Sequence, residues 1–583
     1  MKPISSKAIR LMFSLTMFPA LLLSANSCSP PGQDDQFVDL ANRYLEKARE
    51  LSPEWSTYLG DHRYDHLLND RSQAGVRRRL EFNRAYLDSL ETIDPERLGQ
   101  VNRIDYQILK NQLEFAIFTA EELKPHEWNP LNYVVGDALN NLIAREFAPL
   151  PERLRNLKQR LEGVPAVVAA AQANLGNPPR VHVETAIQQN RGTINLIMDG
   201  LTPFLDQEPD LKSRMAPARA AAIAALEGYG QWLENELLPR ADGDFRLGDS
   251  LYRQKLRFTL DSELTREEII AAAWEDLRHT QDVMFELALD LYPGLFPDDP
   301  LPGRPNKKDI IKQVLDALAE DHPDNDTIVD QARDNLAEAT GFVSKHGLVT
   351  VPNEPVELII MPEYQRGVAI AYCDSPGPLE ENAKTFYSIS PTPEHWSPEQ
   401  SESFFREYND YMLQNLTIHE AMPGHYLQLA FANRFEAPTL VRSIYSSGVY
   451  VEGWATYAEQ LMAGAGYGGD RVKIQQLKMR LRLIINAILD PMIHCEGMTE
   501  QEAMDLMLDE GFQEEGEASL KWRRAMQSSC QLTTYYVGNM EVNRIRADYE
   551  AKLGDRFDLK TFNDALISYG SPAPKYVREL MGL

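Results

Sequence analysis

Cysteine is scarce in this chain. Only four of its 583 residues are cysteine, and one of them, Cys28, lies close to the N-terminus. The other three, Cys373, Cys495 and Cys530, are too few for a disulfide framework and lack the spacing of a structural zinc site. The sequence therefore predicts buried, inert thiols, with room for one disulfide and at least one thiol left free.

Positive charge is also in short supply. The chain carries 59 lysine and arginine residues against 87 aspartate and glutamate residues, a formal charge of −28. Such a surplus repels nucleic acid and anionic membrane surfaces, so we expect neither as a partner. It is typical of a well-solvated acidic surface, although a cationic substrate would also suit it.

The longest apolar run lies near the N-terminus and is too short to favour a membrane span. Three basic residues precede the run from Leu11 to Leu23, and small residues then lead to Cys28. This order is typical of an export signal. We therefore predict that residues 1–27 form a lipoprotein signal, that Cys28 is lipidated and that residues 28–36 form a flexible tether.

Ala25 stands where lipoprotein signals prefer a larger aliphatic residue, which leaves ordinary signal-peptide cleavage as the alternative. Both interpretations predict an exported protein, in the periplasm or on the cell surface. If Cys28 is lipidated, the protein would contact a bacterial membrane only through that lipid anchor.

Helical periodicity dominates the rest of the sequence. Apolar residues recur every three to four positions in the segments 37–51, 103–123, 151–175, 216–238, 265–291 and 307–318. Strand patterns occur in 356–361, 367–372 and 386–389. The sequence predicts a mainly α fold with one small β-sheet. We divide it into a helical N-terminal lobe, residues 37–255, and a second lobe, residues 256–583, that holds the sheet.

The most informative segment is His419-Glu420-Ala421-Met422-Pro423-Gly424-His425. The zinc-hydrolase motif H-E-x-x-H places two imidazoles one helical turn apart, with the glutamate as general base. Here the histidines are six residues apart, and such positions on a regular helix are rotated by roughly 240°. Pro423 cannot bond to the carbonyl of His419, and Gly424 permits unusual backbone angles. We therefore expect a helix bulge that returns His425 to the face of His419.

A third metal donor is expected downstream. The segment 450–461 reads as a buried helix that carries Glu452 and, two turns later on the same face, Glu459. Two histidines and a glutamate leave a fourth position for water, so we predict one zinc ion held by His419, His425 and Glu452. Glu459 is predicted to orient a histidine. The alternative is a surface His–Glu pair and a Glu-Gly-Trp segment that only packs.

These two segments resemble a bacterial family known as domain of unknown function 885. Its pattern H-E-A-x-P-G-H-x-x-Q is met from His419 to Gln428, and its E-G-W-A-x-Y-A-E from Glu452 to Glu459. Weaker similarity covers nearly all of the predicted mature chain, at 52–54, 59–61, 245–248, 536–538 and 553–558.

The family is distantly similar to gluzincin peptidases, which are helical with a deep cleft. The resemblance therefore implies a two-lobed helical zinc metallopeptidase, with His419, His425 and Glu452 as ligands and Glu420 as base. Two positions depart from the family pattern: Asn563 stands where a histidine is usual, and Ser388 where an asparagine is common. If those positions contact substrate, specificity or activity differs here.

Other polar residues are candidates for supporting roles. Tyr535, Tyr536 and His494 could donate to a developing oxyanion, with packing tyrosines and a structural Asp490–His494 pair as the alternatives. Two arginines could hold the terminal carboxylate of a peptide, unless they form surface salt bridges: Arg524 and Arg544.

The predicted reaction is hydrolysis of peptide bonds in short or extended peptides. Zinc would activate a water, and Glu420 would take its proton and pass it to the leaving amine. Two alternatives remain open: a metallohydrolase of another amide or ester, and a non-catalytic surface lipoprotein that binds peptides. The sequence indicates no oligomeric state.

Overall fold

The computed structural model describes residues 32–361, 370–380, 384–394 and 396–583. The predicted signal at 1–27 and the lipidation site Cys28 lie outside the described residues. The predicted tether, 28–36, is described only from residue 32. Its last four residues are helical, because the first helix already begins at Gln33.

Helices form most of the chain. Before the strands they are α1 Gln33–Leu51, α2 Pro53–Leu59, α3 Gln73–Leu90, α4 Gln100–Phe118, α5 Pro125–Trp128, α6 Gly136–Ala144, α7 Leu150–Asn174, α8 Arg180–Asn195, α9 Thr202–Leu205, α10 Pro209–Trp232, α11 Gly248–Leu260, α12 Arg266–Leu295, α13 Lys307–Leu318 and α14 Ile328–His346. After the strands they are α15 Pro398–Glu407, α16 Asp410–Glu420, α17 His425–Ala432, α18 Val441–Ile444, α19 Gly448–Gly464, α20 Gly469–Cys495, α21 Glu500–Asp505, α22 Glu515–Gln527, α23 Thr533–Leu553, α24 Leu559–Leu566 and α25 Pro574–Leu580. The six predicted helical segments all coincide with helices, and 307–318 matches α13 at both ends.

The strands form one small sheet in the order β1-β3-β2, with β1 Val356–Ile360, β2 Ala371–Asp374 and β3 Thr385–Ile389. β1 pairs with β3 in parallel, and β2 pairs with β3 antiparallel. Of the predicted strand at 367–372, residues 367–369 lie outside the described residues. The mainly α fold with one small sheet is confirmed for the part of the chain that the structure describes.

Apolar burial divides among four clusters. One lies wholly between Tyr133 and Ala241. Another joins α1–α4 to α18 and α25, through residues such as Val441 and Tyr576. The remaining two clusters lie between Tyr252 and Met581. The cluster that contains α1–α4 draws on both predicted lobes. The division at 255 therefore stays a prediction.

Two helices of the second half pack at unusually short range. A Cβ added to Gly453 of α19 would overlap the backbone of Gly538 in α23, and one added to Gly538 would overlap the carbonyl oxygen of Val449. Two facing glycines therefore let α23 lie directly against the helix that carries Glu452.

Cys373, Cys495 and Cys530 are free thiols, of which Cys530 is buried and the other two are half-buried. Within the described ranges, helices long and apolar enough to cross a bilayer are lacking.

Candidate metal centre

Two separate helices lead to His419. α15 ends at Glu407, and α16 starts afresh at Asp410. Asn409 caps α16, since its side-chain oxygen accepts from the N–H groups of Tyr411 and Met412. Ser397 and Gln400 form a capping box at the start of α15.

The chain reverses sharply between the two histidines. α16 ends at Glu420, the Met422–Pro423 peptide bond is cis, and α17 begins at His425. The N–H of Gly424 donates to the carbonyl of Ile418 at 2.9 Å, and a Cβ on Gly424 would overlap that oxygen. Only glycine fits so close to the backbone of the preceding turn.

This reversal brings the two imidazole rings together. Their centroids are 4.7 Å apart and their planes are nearly perpendicular. The expected return of His425 to the side of His419 is therefore confirmed. The predicted bulge within one helix is wrong, because Pro423 and Gly424 end one helix and His425 opens another. Trp454 of α19 holds the reversal, since its indole N–H donates to the carbonyl of Pro423 at 2.9 Å.

Glu452 on α19 completes a three-donor cluster. Its Oε2 lies 3.5 Å from Nε2 of His419 and 3.5 Å from Nε2 of His425. One donor atom from each residue falls within 4.8 Å of the other two. The 3.5 Å separations are long for hydrogen bonds, and Oε2 has no hydrogen-bond partner among the described residues. Two atoms that are each about 2.1 Å from a tetrahedral ion are about 3.4 Å apart. The spacing therefore suits a shared zinc ion better than direct contact.

Glu459 lies behind His419. Its Oε1 is 2.7 Å from Nδ1 of His419, and its Oε2 accepts from the amide of Asn415 at 2.8 Å. With Nδ1 engaged, Nε2 of His419 points toward Glu452, which is the arrangement expected of a partner that orients a ligand. Burial opposes protonation of His419, but Glu452 and Glu459 raise the pKa of this histidine well above its usual value.

Replacement of Glu459 by Gln is expected to weaken zinc binding about 10- to 100-fold, because outer-sphere carboxylates fix the ligand tautomer. Competition with a fluorescent chelator measures the affinity. Zinc content at saturating metal should stay at that of the wild type. An unchanged affinity would show that Glu459 only fills the core.

Glu420 faces the same space from the end of α16. Its Oε2 accepts from the backbone N–H of Cys373 in β2 at 3.1 Å. Burial raises the pKa of the Glu420 carboxyl, and Glu452 adds to that rise, while both histidines lower it. The Cys373 contact thus fixes the proposed base against an edge strand of the sheet.

A short N-terminal motif anchors the segment that follows β2. The carbonyl of Leu59 accepts from the N–H of Leu379 at 2.9 Å. A Cβ on Gly60, whose φ is +89°, would overlap the backbone of Glu380. His62 contacts the Glu380 carboxylate at 2.9 Å. The motif at 59–61 thus holds the segment that leads out of the strand beside Glu420.

The cavity around the cluster has a volume of about 950 Å³. Its wall includes His419, His425, Glu452 and Glu420, and also two of the predicted supporting residues, Tyr535 and Arg524. Nη2 of Arg524 donates to the Tyr535 hydroxyl at 3.2 Å and to Gln531 at 2.8 Å. Burial raises the pKa of Tyr535. Both residues therefore stay candidates for contact with a substrate.

Three other predicted residues lie elsewhere. His494 is buried, and its Nε2 is 2.8 Å from the carbonyl of Ser528. The Tyr536 hydroxyl donates to Asp276 at 3.1 Å, because this residue faces a different side of α23 from Tyr535. Arg544 is exposed on the same helix. None of the three is among the described residues that line the cavity, so the structure does not bring His494, Tyr536 or Arg544 to the three-donor cluster.

The two departures from the family pattern have different surroundings. Asn563 is buried, accepts from the hydroxyl of Tyr457 at 2.9 Å and donates to the carbonyl of Leu348 at 2.8 Å. It therefore ties α24 to α19 and contacts no cavity residue through these bonds. Ser388 is buried in β3 directly opposite Tyr372, which lines the cavity.

A cluster of buried charged side chains in the cavity wall was not predicted from the sequence. Glu407, which is 2% exposed, contacts Lys478 at 2.8 Å and Arg482 at 2.5 Å. Arg482 in turn approaches Glu517 at 3.6 Å. Helical periodicity assigns these residues to helices but cannot show that their charged ends meet.

Replacement of Glu407 by Gln is expected to lower the free energy of unfolding at pH 7 by about 3 to 5 kcal/mol, because it leaves buried cations uncompensated. Burial opposes ionisation of Glu407, but Lys478 and Arg482 lower its pKa below 4.5 overall. The stabilisation is therefore complete above about pH 4.5 and is lost as the pH falls through the lowered pKa. Urea unfolding at pH 7 and at pH 3 measures this effect. The difference in the free energy of unfolding between Glu407→Gln and the wild type should be smaller at pH 3.

A matched control for that experiment is Glu402→Gln. Glu402 lies on the same helix, but its side chain is 54% exposed, so the free energy of unfolding should change by less than about 0.5 kcal/mol. Equal effects of the two substitutions would refute the role given to the buried cluster.

Fold and site together define a class: a mainly helical protein with one small sheet and a buried His-His-Glu cluster suited to a metal ion. The chain belongs to the family described as bacterial protein of unknown function, DUF885, whose pattern matches residues 53–581.

Solved structures agree with this assignment. A candidate lipoprotein of unknown function from Shewanella oneidensis is 35% identical, with a TM-score of 0.80 over 94% of this chain and 100% of that one. A candidate lipoprotein from Colwellia psychrerythraea is 18% identical, with a TM-score of 0.77 over 94% and 99% of the two chains, and shares the fold. An M32 carboxypeptidase from Deinococcus radiodurans R1, at 11% identity and a TM-score of 0.39 over 94% and 95%, is too distant to support an argument. The comparison with curated proteins finds no match.

Proposed function

We propose that this protein is a zinc-dependent hydrolase that cleaves peptide bonds. The observation that carries the proposal is the convergence of His419, His425 and Glu452, whose donor atoms lie within 4.8 Å of one another. Oε2 of Glu452 is 3.5 Å from Nε2 of each histidine, close to the spacing that one tetrahedral ion would give. When bound, zinc supplies a Lewis acid that lowers the pKa of a water molecule and polarises a carbonyl group.

The remaining roles belong to side chains of this chain. Glu420, held by the Cys373 N–H, accepts a proton from the attacking water and passes it to the leaving amine. Tyr535 lines the same cavity, and its hydroxyl is the proposed donor to the developing oxyanion. Glu459 keeps Nε2 of His419 directed at the metal site.

The size of the cavity supports a limited range of substrates. Its volume of about 950 Å³ is at the upper end of small-ligand sites and suits a short or extended peptide. A small amide would also fit, so cleavage of a peptide library and of an ester panel, each with and without chelator, tests the proposal. Chelator-sensitive peptide cleavage supports it. Ester hydrolysis alone would indicate another metallohydrolase, and a protein without stoichiometric zinc would indicate a peptide-binding lipoprotein.

We also propose that Cys28 carries a lipid that anchors the exported protein to a bacterial membrane. The apolar run followed by small residues and Cys28 supports this, and two structural relatives are described as candidate lipoproteins. Replacement of Cys28 by Ser is expected to shift the protein from the membrane fraction to the soluble fraction, since acyl chains drive the association. Mass spectrometry should find acyl chains on the wild-type N-terminus. An unmodified wild-type N-terminus would refute the anchor.

A further inference from the structure

A second cavity lies apart from the metal centre. It has a volume of about 700 Å³, is formed mainly by α1, α3, α4 and the segment 125–134, and shares no lining residue with the first cavity. This volume is in the range that holds small organic ligands. The proposed peptide hydrolysis makes no use of it.

Aromatic side chains cluster in the wall of the second cavity. Besides His126, six of them line it: Tyr44, Trp55, Phe82, Phe115, Tyr133 and Tyr445. Trp55 stacks on Tyr445 with centroids 5.6 Å apart, and Tyr44 stacks on Phe82 at 5.3 Å. The hydroxyls of Tyr44 and Tyr445 are 3.1 Å apart, which ties these two stacks together. The rings therefore form a preformed surface for a flat apolar group.

The charge of the second cavity is opposite to that of the protein. The chain has a formal charge of −28, but the described residues that line this cavity include Arg71, Arg79 and His126 and no aspartate or glutamate. Arg71 is neutralised by Glu54, which it contacts at 2.7 Å through both terminal nitrogens. The cavity therefore has cationic character that depends on Arg79.

Among the described residues, Arg79 forms no salt bridge with a carboxylate. Its Nη1 donates to the backbone carbonyl of Asp70 at 2.7 Å, while the carboxylate of Asp70 contacts Arg78 at 2.5 Å. Burial lowers the pKa of Arg79. Burial also lowers the pKa of His126, and the positive charge of Arg79 adds to that decrease. Asp70 and Glu54 act on Arg79 only through space. A partly desolvated guanidinium without a directly bonded carboxylate is suited to bind an anion.

We propose that this cavity binds a small organic anion in which a carboxylate is joined to a ring-bearing apolar body. The carboxylate pairs with Arg79, and the ring stacks among the aromatic side chains. A neutral ligand would leave Arg79 without its counter-charge, and a hydrated inorganic anion would gain nothing from the rings.

The test uses 2-naphthoate and its neutral analogue 2-naphthamide as probes in calorimetric titrations of the full-length protein. Naphthoate is expected to bind at least about tenfold more tightly than naphthamide, since a charged hydrogen bond contributes a factor of this size. Arg79→Gln should remove that preference. Arg77→Gln, an exposed neighbour on the same helix, should leave it intact.

Two further variants locate the bound probe. Ala116→Trp fills the second cavity and should abolish binding, with circular dichroism as the check on folding. Naphthoate that bound at the metal centre instead would lose its site in His425→Ala. Since the proposed site is the second cavity, this variant should bind naphthoate as tightly as the wild type. Equal binding of both probes, an unaltered Arg79→Gln titration, loss of binding in His425→Ala or no binding of naphthoate up to millimolar concentration would each overturn the proposal.

Discussion

Replacement of Glu420 by Gln is expected to lower kcat/KM for peptide cleavage by about 100- to 10,000-fold, the usual contribution of a general base. The amide keeps the shape of the side chain and can still contact the Cys373 N–H through its oxygen. Because Glu420 is not among the three converging donors, the zinc content should match that of the wild type. Kinetics on a cleaved library peptide, together with metal analysis of the same sample, measure both quantities.

The matched control for Glu420 is Glu436→Gln, an exposed position shortly after α17, where activity should be unchanged. Full activity in Glu420→Gln would refute its role as base. Loss of activity together with loss of zinc would instead show that Glu420 helps to hold the metal.

Replacement of His425 by Ala is expected to remove one of three zinc donors. Loss of a direct ligand should weaken zinc binding by more than about 100-fold, since loss of an outer-sphere partner alone costs 10- to 100-fold. Purified protein should then hold almost no zinc, and peptide cleavage should fall to background. Added zinc should raise the melting temperature of the wild type and not that of the variant, because a ligand stabilises only the state that binds it.

His279→Ala is the control for His425. His279 is exposed on α12, so its removal should change neither zinc content nor melting temperature. Normal zinc content in His425→Ala would refute the three-donor site, whereas zinc loss without loss of hydrolysis would separate the metal from the reaction.

Local patterns predicted the helices well, because each long helix buries one face and therefore repeats apolar residues at helical spacing. The segment 307–318 is an example, since its apolar residues fall on one buried face of α13. The approach of His425 to His419 could also be predicted from the sequence, because Pro423 and Gly424 rule out a regular helix between them.

Contacts between segments that are distant in the sequence could not be predicted. The sequence did not show that the Cys373 N–H contacts Glu420, or that Glu407 lies among Lys478 and Arg482. Neither spacing nor periodicity encodes which helices pack together. The same limit explains why Tyr535 and Tyr536 are both candidates from the sequence, although only Tyr535 lines the cavity. These adjacent residues point to different sides of α23, and the sequence does not show which side faces the cavity.

Anomalous diffraction at the zinc edge from crystals of the purified protein locates the metal itself. We expect one strong peak about 2.0 to 2.2 Å from Nε2 of His419, Nε2 of His425 and Oε2 of Glu452. No peak at that point in crystals grown with zinc, or a peak that lacks His425 among its ligands, would refute the three-donor zinc site.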